Sequence, residues 1–238
     1  MRLDKCLLLL LLVLCTGIGA TTIYDIQYTS SRGADNCYPS PYLGKTVTVE
    51  GVVTATNYRS GGYFISEPVS GAWRGILIND SRHNPRVGNY LRITGVVAEI
   101  FGMTCIQDLS DYRLLDSNRS LPNPVTISTG QLASSFEAEA YEGVYARLIN
   151  VSSSSGKSRN NRFMVNDGSG QCSIVTGSFG GKAVSSPAAG VQYSQIVGVV
   201  VFGYGEFSLN PISAGDISIQ QPASVQNRSW GKIKSIYK

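Results

Sequence analysis

Chemistry in this sequence would have to come from few side chains. It has one histidine, His83, three cysteines beyond the first twenty residues (Cys37, Cys105 and Cys172), and carboxylates that occur one at a time. His83 stands in the loop-like run Arg82-His83-Asn84-Pro85-Arg86, without a second histidine to complete an acid/base pair or a ligand set. No zinc-spaced cysteines, phosphate-cradling glycine loop or nucleophile elbow is present. Asp25, Asp35, Glu50, Glu67, Asp80 and Glu99 are scattered rather than paired, as carboxylates that keep strand faces soluble usually are. The expectation is a protein without catalysis, metal or cofactor.

Binding has more to work with. Tyr58 and Arg59 lie in the polar run 56–62, and Phe101 and Met103 flank Gly102. Further along, Lys157, Arg159 and Arg162 lie in a second polar run at 152–162, ahead of Phe202-Gly203-Tyr204. Cations beside flat rings suit a single-stranded nucleic acid, whose phosphates need charge and whose bases need stacking surfaces. The alternation in Tyr63-Phe64-Ile65 sends Tyr63 and Ile65 to one face and Phe64 to the other. An outward Phe64 beside Trp73 and Arg74 would be a ligand surface. The competing ligand class is a surface protein or glycan, with the chain acting as a structural or adhesive module.

These residues must be positioned by strands. Thr46 to Thr54 is rich in β-branched residues, with Val47 and Val49 on one face and Thr46, Thr48 and Glu50 on the other. Gly51 interrupts the run as a bend at a barrel corner would. Strand-like runs follow at 63–67, 75–78 and 90–99, and a hairpin at Phe101-Gly102 returns through 103–106. Five short strands that close on themselves make an OB-fold, here with the polar loop 80–88 in place of the usual helix after the third strand. The run 63–67 reappears at 163–167 and 93–97 at 196–200, while Phe101-Gly102 pairs with Phe202-Gly203. A repeat of about a hundred residues follows. The predicted fold class is all-β, two tandem OB-like five-stranded barrels at 44–118 and 127–220. A linker at 119–126 joins them, an arm occupies 21–43 with an edge strand at 22–28, and a short C-terminal helix lies within the tail 221–238.

Residues 23–27, Cys37-Tyr38-Pro39-Ser40-Pro41 and the run 44–55, continued by 62–65 and 87–97, resemble the OB-fold-like modules of secreted bacterial proteins. Such modules accompany extracellular nucleases of the endonuclease/exonuclease/phosphatase type and lamin-tail-like domains. The resemblance covers residues 23 to about 110 well and the second module loosely. It implies a fold and a compartment, without the nuclease's catalytic domain, and names no ligand.

Residues 1–20 have the plan of a signal peptide: Arg2 and Lys5, the apolar block Leu7–Leu14, then small residues. The expectation is a secreted or periplasmic chain that starts near Thr21, with no transmembrane span once mature. The alternative is a lipoprotein anchored through Cys15. Removing residues 1–20 takes the 20 basic and 16 acidic residues to 18 and 15, a net charge of +3 that neither demands nor excludes an anionic partner. A Cys37–Cys105 disulfide would tie the arm to a strand and close a long loop; the alternative is three buried free thiols. In the tail, Trp230, Ile233 and Tyr237 have helical spacing with lysines between, which reads as a basic amphipathic turn docked on the second barrel.

Overall fold

β-Branched residues make β1 (Thr46–Tyr58) a strand, and its two halves have different partners. Up to Val52 it runs antiparallel to β4 (Tyr90–Ile100), with Val47 and Val49 buried and their neighbours not. From Val52 onward it pairs with β2 (Gly62–Ser66), and the register slips between Val53 and Ala55 and again before Tyr58. Gly51 sits at the corner between the two pairings, where a Cβ would lie 3.1 Å from Ile65. With β3 (Gly75–Ile78) and β5 (Met103–Asp116), the order β1-β2-β3-β5-β4 closes into a barrel in which β3 and β5 run parallel. No helix joins β3 to β4.

The chain then builds the same barrel again. β7 (Tyr145–Ser153), β8 (Arg162–Asn166), β9 (Gln171–Val175), β11 (Glu206–Asn210) and β10 (Gln192–Gly203) follow in the same spatial order. β10 pairs back to β7 and closes the barrel, and β9 and β11 again run parallel. Short strands β6 (Val125–Thr126) and β12 (Ile217–Ile219) extend it beside β7 and β10. The protein is therefore all-β, with two OB-like five-stranded barrels. This computed structural model describes residues 21–34, 37–59, 61–154, 161–181 and 187–220. The signal-like segment with Cys15, the expected C-terminal helix, Lys157 and Arg159 lie outside them. Among the described residues no helix is long and apolar enough to cross a membrane.

Two details of the repeat are corrected. The hairpin that corresponds to Phe101-Gly102 is Tyr204-Gly205: both are two-residue turns, with φ of 54° and 81° in the first and 57° and 80° in the second. Phe202-Gly203 still belongs to β10, because Phe202 pairs with Phe207 and Gly203 with Glu206. The segment at 22–28 is not an edge strand but the helix α1 (Ile23–Gln27). Thr22 and Asp25 form a reciprocal capping box, and Ile23 and Ile26, three apart, insert into the first barrel's core.

Two helices before β7, α2 (Thr129–Ala133) and α3 (Ser135–Glu139), carry no counterpart in the sequence expectation. α2 has the same capping box, from Ser128 and Gln131. Each barrel thus begins with a capped helical turn, held in the same way. The Tyr24 N–H of α1 donates to Glu67 at 2.9 Å, and the Thr129 N–H of α2 donates to Asp167 at 3.0 Å. Glu67 and Asp167 follow β2 and β8, so a carboxylate beyond the second strand meets the positive end of each helix.

The first barrel has its own apolar interior, and its outer face joins that of the second. The cross-strand row Ala55, Phe64, Leu77 and Cys105 lies on the outer face of the first barrel, in register across β1, β2, β3 and β5. It is fully covered, and it belongs to the same cluster as the second barrel's Phe163, Ile174 and Leu209. The outward Phe64 surface is thereby corrected: Phe64 does leave its own barrel, but it packs edge-on to Tyr58 at 5.1 Å and against Phe179 at 6.0 Å, with none of its surface exposed. The expected Cys37–Cys105 bridge is also corrected, since all three thiols are free. Cys37 donates to the Ala34 carbonyl (2.7 Å). Burial pushes the Cys105 and Cys172 thiols up to about 12, which keeps them protonated and inert.

Backbone meets backbone where the barrels join. The Trp73 N–H donates to Ala140 O at 2.6 Å, and the Gln27 side chain donates to Gly75 O at 2.7 Å and to Glu142 O at 3.2 Å. A Cβ on Gly75 would lie 2.6 Å from the Gly143 carbonyl carbon and 2.8 Å from Val144 Cα, and neither atom can rotate away. Gly75→Ala should therefore cost about 1–3 kcal/mol, seen as a lower melting temperature. An unchanged melt would show that β3 and the turn before β7 are not apposed at this point.

Candidate functional site

The two equivalent hairpins meet at one cleft of about 520 Å³. Phe101-Gly102 forms one side and Phe202 to Gly205 the other, with Arg59 from the β1–β2 turn and Cys37 from the arm between them. The Arg59 guanidinium lies 5.2 Å from the Tyr58 ring centroid and 5.9 Å from that of Phe101. Phe202 is buried, stacks obliquely on Phe207 at 4.8 Å, and approaches the turn at Gly102 so closely that a Cβ there would lie 2.6 Å from its ring. Phe202 therefore locks the hairpins together, while Phe101 and Tyr204 stand free at the tips, 78% and 96% exposed.

Those tips are unusual for their backbone. A turn with positive φ at both central residues favours Asn-Gly or Asp-Gly, and a bulky side chain in the left-handed region is an outlier that costs on the order of 1 kcal/mol or more. Phe101 and Tyr204 both occupy that position, in both barrels. Arg59, also in this cleft, has a positive φ of 49°, as does Trp73 away from it at 67°.

The structure brings together Arg59, Phe101, Phe202 and Tyr204 from the sequence candidates, and disperses the rest. Tyr58 lies beneath Arg59 and is 4% exposed; burial pushes its hydroxyl above the usual range, with the charge of Arg59 opposing. Arg162 is ion-paired with Glu206 at the foot of the second hairpin. Phe64 is interior. Trp73 turns toward the arm, with its ring edge-on to Tyr28 at 5.5 Å, and Arg74 is ion-paired with Glu67 over the Tyr24 ring. Cys37 was missed as a lining residue, and nothing in its spacing could have placed it there.

His83 is held rather than free in a loop: its Nδ1 lies 2.6 Å from Asp80 Oδ2, and its ring stacks on Tyr112 at 4.0 Å. Burial works to raise the Asp80 carboxyl, but hydrogen bonds from His83 and Arg82 outweigh it and leave the group below its usual range. Nor are the carboxylates all scattered. Glu99, from β4, is packed with Glu139 and Glu142, two residues outside the sequence candidates. Among the described residues no group of His, Cys, Asp and Glu could hold a metal ion.

No family model matches the sequence, and no curated protein matches it. Several solved structures match over most of the chain. A murine DNA-binding protein bound with double-stranded DNA covers 74% of this chain and 96% of its own at 9% identity, with a TM-score of 0.37. The Ifi202 HINa domain in complex with 20-bp double-stranded DNA covers 75% and 96% at 12% identity and 0.32. The tetrameric p202 HIN2 covers 81% and 97% at 9% identity and 0.31.

Proposed function

We propose that this chain is a non-catalytic binding module that works outside the cytoplasm and takes single-stranded nucleic acid in the cleft between its hairpins. The observation that carries this reading is the pair of strained, exposed rings, Phe101 and Tyr204, set at equivalent turns on either side of Arg59. Flat rings at two edges stack bases of any sequence, and a guanidinium beside them meets the phosphate. The signal-like residues 1–20 and the resemblance to accessory modules of secreted bacterial nucleases favour the compartment.

The test uses the backbone strain itself. Phe101→Asn and Tyr204→Asn place a residue that tolerates positive φ at each tip, so the fold should melt at the same or a higher temperature. Fluorescence anisotropy with a labelled oligothymidylate should show each variant binding about 5- to 150-fold more weakly, the equivalent of about 1–3 kcal/mol per stacked base. Arg59→Gln should weaken binding less and reduce its dependence on log salt. Full affinity in the folded Asn variants would remove the cleft from consideration. Salt-independent binding would instead favour a surface protein or glycan, and hydrolysis of the oligonucleotide with a divalent metal would refute the non-catalytic reading.

A further inference from the structure

A second group of aromatic residues gathers away from the cleft. A second cavity, of about 310 Å³, opens where the arm, the turn before β3 and α3 meet. Its walls include Tyr28, Tyr38, Trp73, Phe136, Tyr141 and Glu139. Tyr28 meets Trp73 at 74° and Tyr38 meets Phe136 at 61°, so the rings stand as angled walls rather than a stack. Tyr28 is half exposed and Phe136 two-thirds exposed, which leaves the cavity open to solvent.

The charged residues that line this cavity are acidic. Among the described residues no lysine or arginine lines it, while Glu137 and Glu139 both do. Glu139 is 4% exposed and its Oε2 has no hydrogen-bond partner. Next to it lie Glu99 and Glu142; Glu142 is equally buried, with an Oε2 that also lacks a partner. Among the described residues no salt bridge reaches Glu99, Glu139 or Glu142. Native proteins seldom leave buried carboxylate oxygens unpaired, because the lost solvation has no return.

We propose that this cavity is an aromatic cage for an organic cation, a methylated or quaternary ammonium group, with Glu139 as its counter-charge. Ring faces attract a cation through their quadrupole, and a quaternary ammonium needs no hydrogen-bond acceptor around it. A bare metal ion would need several oxygen ligands, which the rings cannot supply. Burial, and next the charge of Glu99, pushes the Glu139 carboxyl up to about 8, so near neutral pH a proton holds the place of the missing partner. The titratable groups around the pair are Glu99 from β4, Glu142 beyond α3 and Cys37 from the arm, with Glu137 on the rim. A cation that binds there displaces the proton, and its affinity rises as the pH approaches 8. This inference does not depend on the nucleic-acid reading, because the cavity shares no lining residue with the cleft.

The full chain, in a Trp230→Phe background so that Trp73 alone reports, is titrated with tetramethylammonium chloride and separately with tert-butyl alcohol, a neutral molecule with the same tetrahedral shape and number of heavy atoms. The expected result is a saturable fluorescence change with the cation and none with the alcohol. Affinity should be stronger at pH 8 than at pH 6 in the parent chain and independent of pH in Glu139→Gln. Phe136→Ala, at an exposed wall, keeps the fold and should weaken the cation about 2- to 30-fold. Absence of saturation, equal binding of the alcohol, or an unaltered pH profile in a folded Glu139→Gln protein would each overturn the proposal.

Discussion

Phe64→Ala should lower folding stability by about 3–5 kcal/mol, the cost of emptying a fully buried aromatic site. For a chain of this size that is a fall in melting temperature on the order of 10 °C. The ring touches no solvent, lies edge-on to Tyr58, and closes against Phe179 from the segment after β9. Its loss would open a cavity at the seam between the barrels, where neither barrel can relax without separating from the other. Since Phe64 and the second barrel's Phe163 and Leu209 belong to one cluster, the protein should still melt as a unit. Differential scanning calorimetry decides the matter. A parent-like melting temperature for Phe64→Ala would mean that the second barrel does not cover β2, and that Phe64 faces solvent as alternation alone suggests.

Raising the pH from 5 to 8 should destabilise the protein, and Glu139→Gln or Glu142→Gln should reverse much of that loss. Burial comes first in raising both carboxyls, followed for Glu139 by the charge of Glu99 and for Glu142 by the charges of Glu139 and Glu99. A carboxyl whose folded value exceeds its unfolded one contributes fully only below the unfolded value, near 4.5. That contribution disappears as the pH rises through the folded value, because the unfolded chain gives up its proton first. For Glu139, raised to about 8, the slope approaches 1.36 kcal/mol per pH unit across this window, on the order of 4 kcal/mol in all. Glutamine keeps the shape and carries no charge to bury. In Glu142→Gln its Oε1 can still accept the 2.8 Å bond from the Thr104 N–H. Denaturant midpoints at pH 5 and pH 8 make the comparison. A flat parent profile, or Gln variants less stable than the parent at pH 8, would contradict it.

The hairpin tips show how far pattern reaches. Glycine after an aromatic signals a turn, and two such dipeptides about a hundred residues apart were visible. Matching Phe-Gly with Phe-Gly by identity chose Phe202-Gly203, however, when the turn that needs positive φ at both residues is Tyr204-Gly205. The helices before each barrel leave a signal in the sequence. Thr22 with Asp25 and Ser128 with Gln131 carry the capping-box spacing, but in α1 the alternation of apolar residues also fits a strand. Local pattern could not arbitrate over five residues; the barrel interior that receives Ile23 and Ile26 did.

The sequence alone determined what depends on neighbours along the chain. The alternation in β1 and the turns between short strands specify which residues extend and which faces are apolar, and the repeat specifies that the barrel is made twice. Tertiary structure decided which outward face stays outward. Phe64 obeys its alternation and is nonetheless interior, because the hydrophobic effect pairs the row Ala55, Phe64, Leu77 and Cys105 with the second barrel's core. Glu99, Glu139 and Glu142 are harmless singly in the sequence and become a cluster of carboxyls withdrawn from water only when the turn after α3 meets the end of β4 and the start of β5. Phe101 and Tyr204, 103 positions apart, share one cleft because each is the tip of the same turn in two copies of one fold, and only the docking of the copies sets those tips side by side.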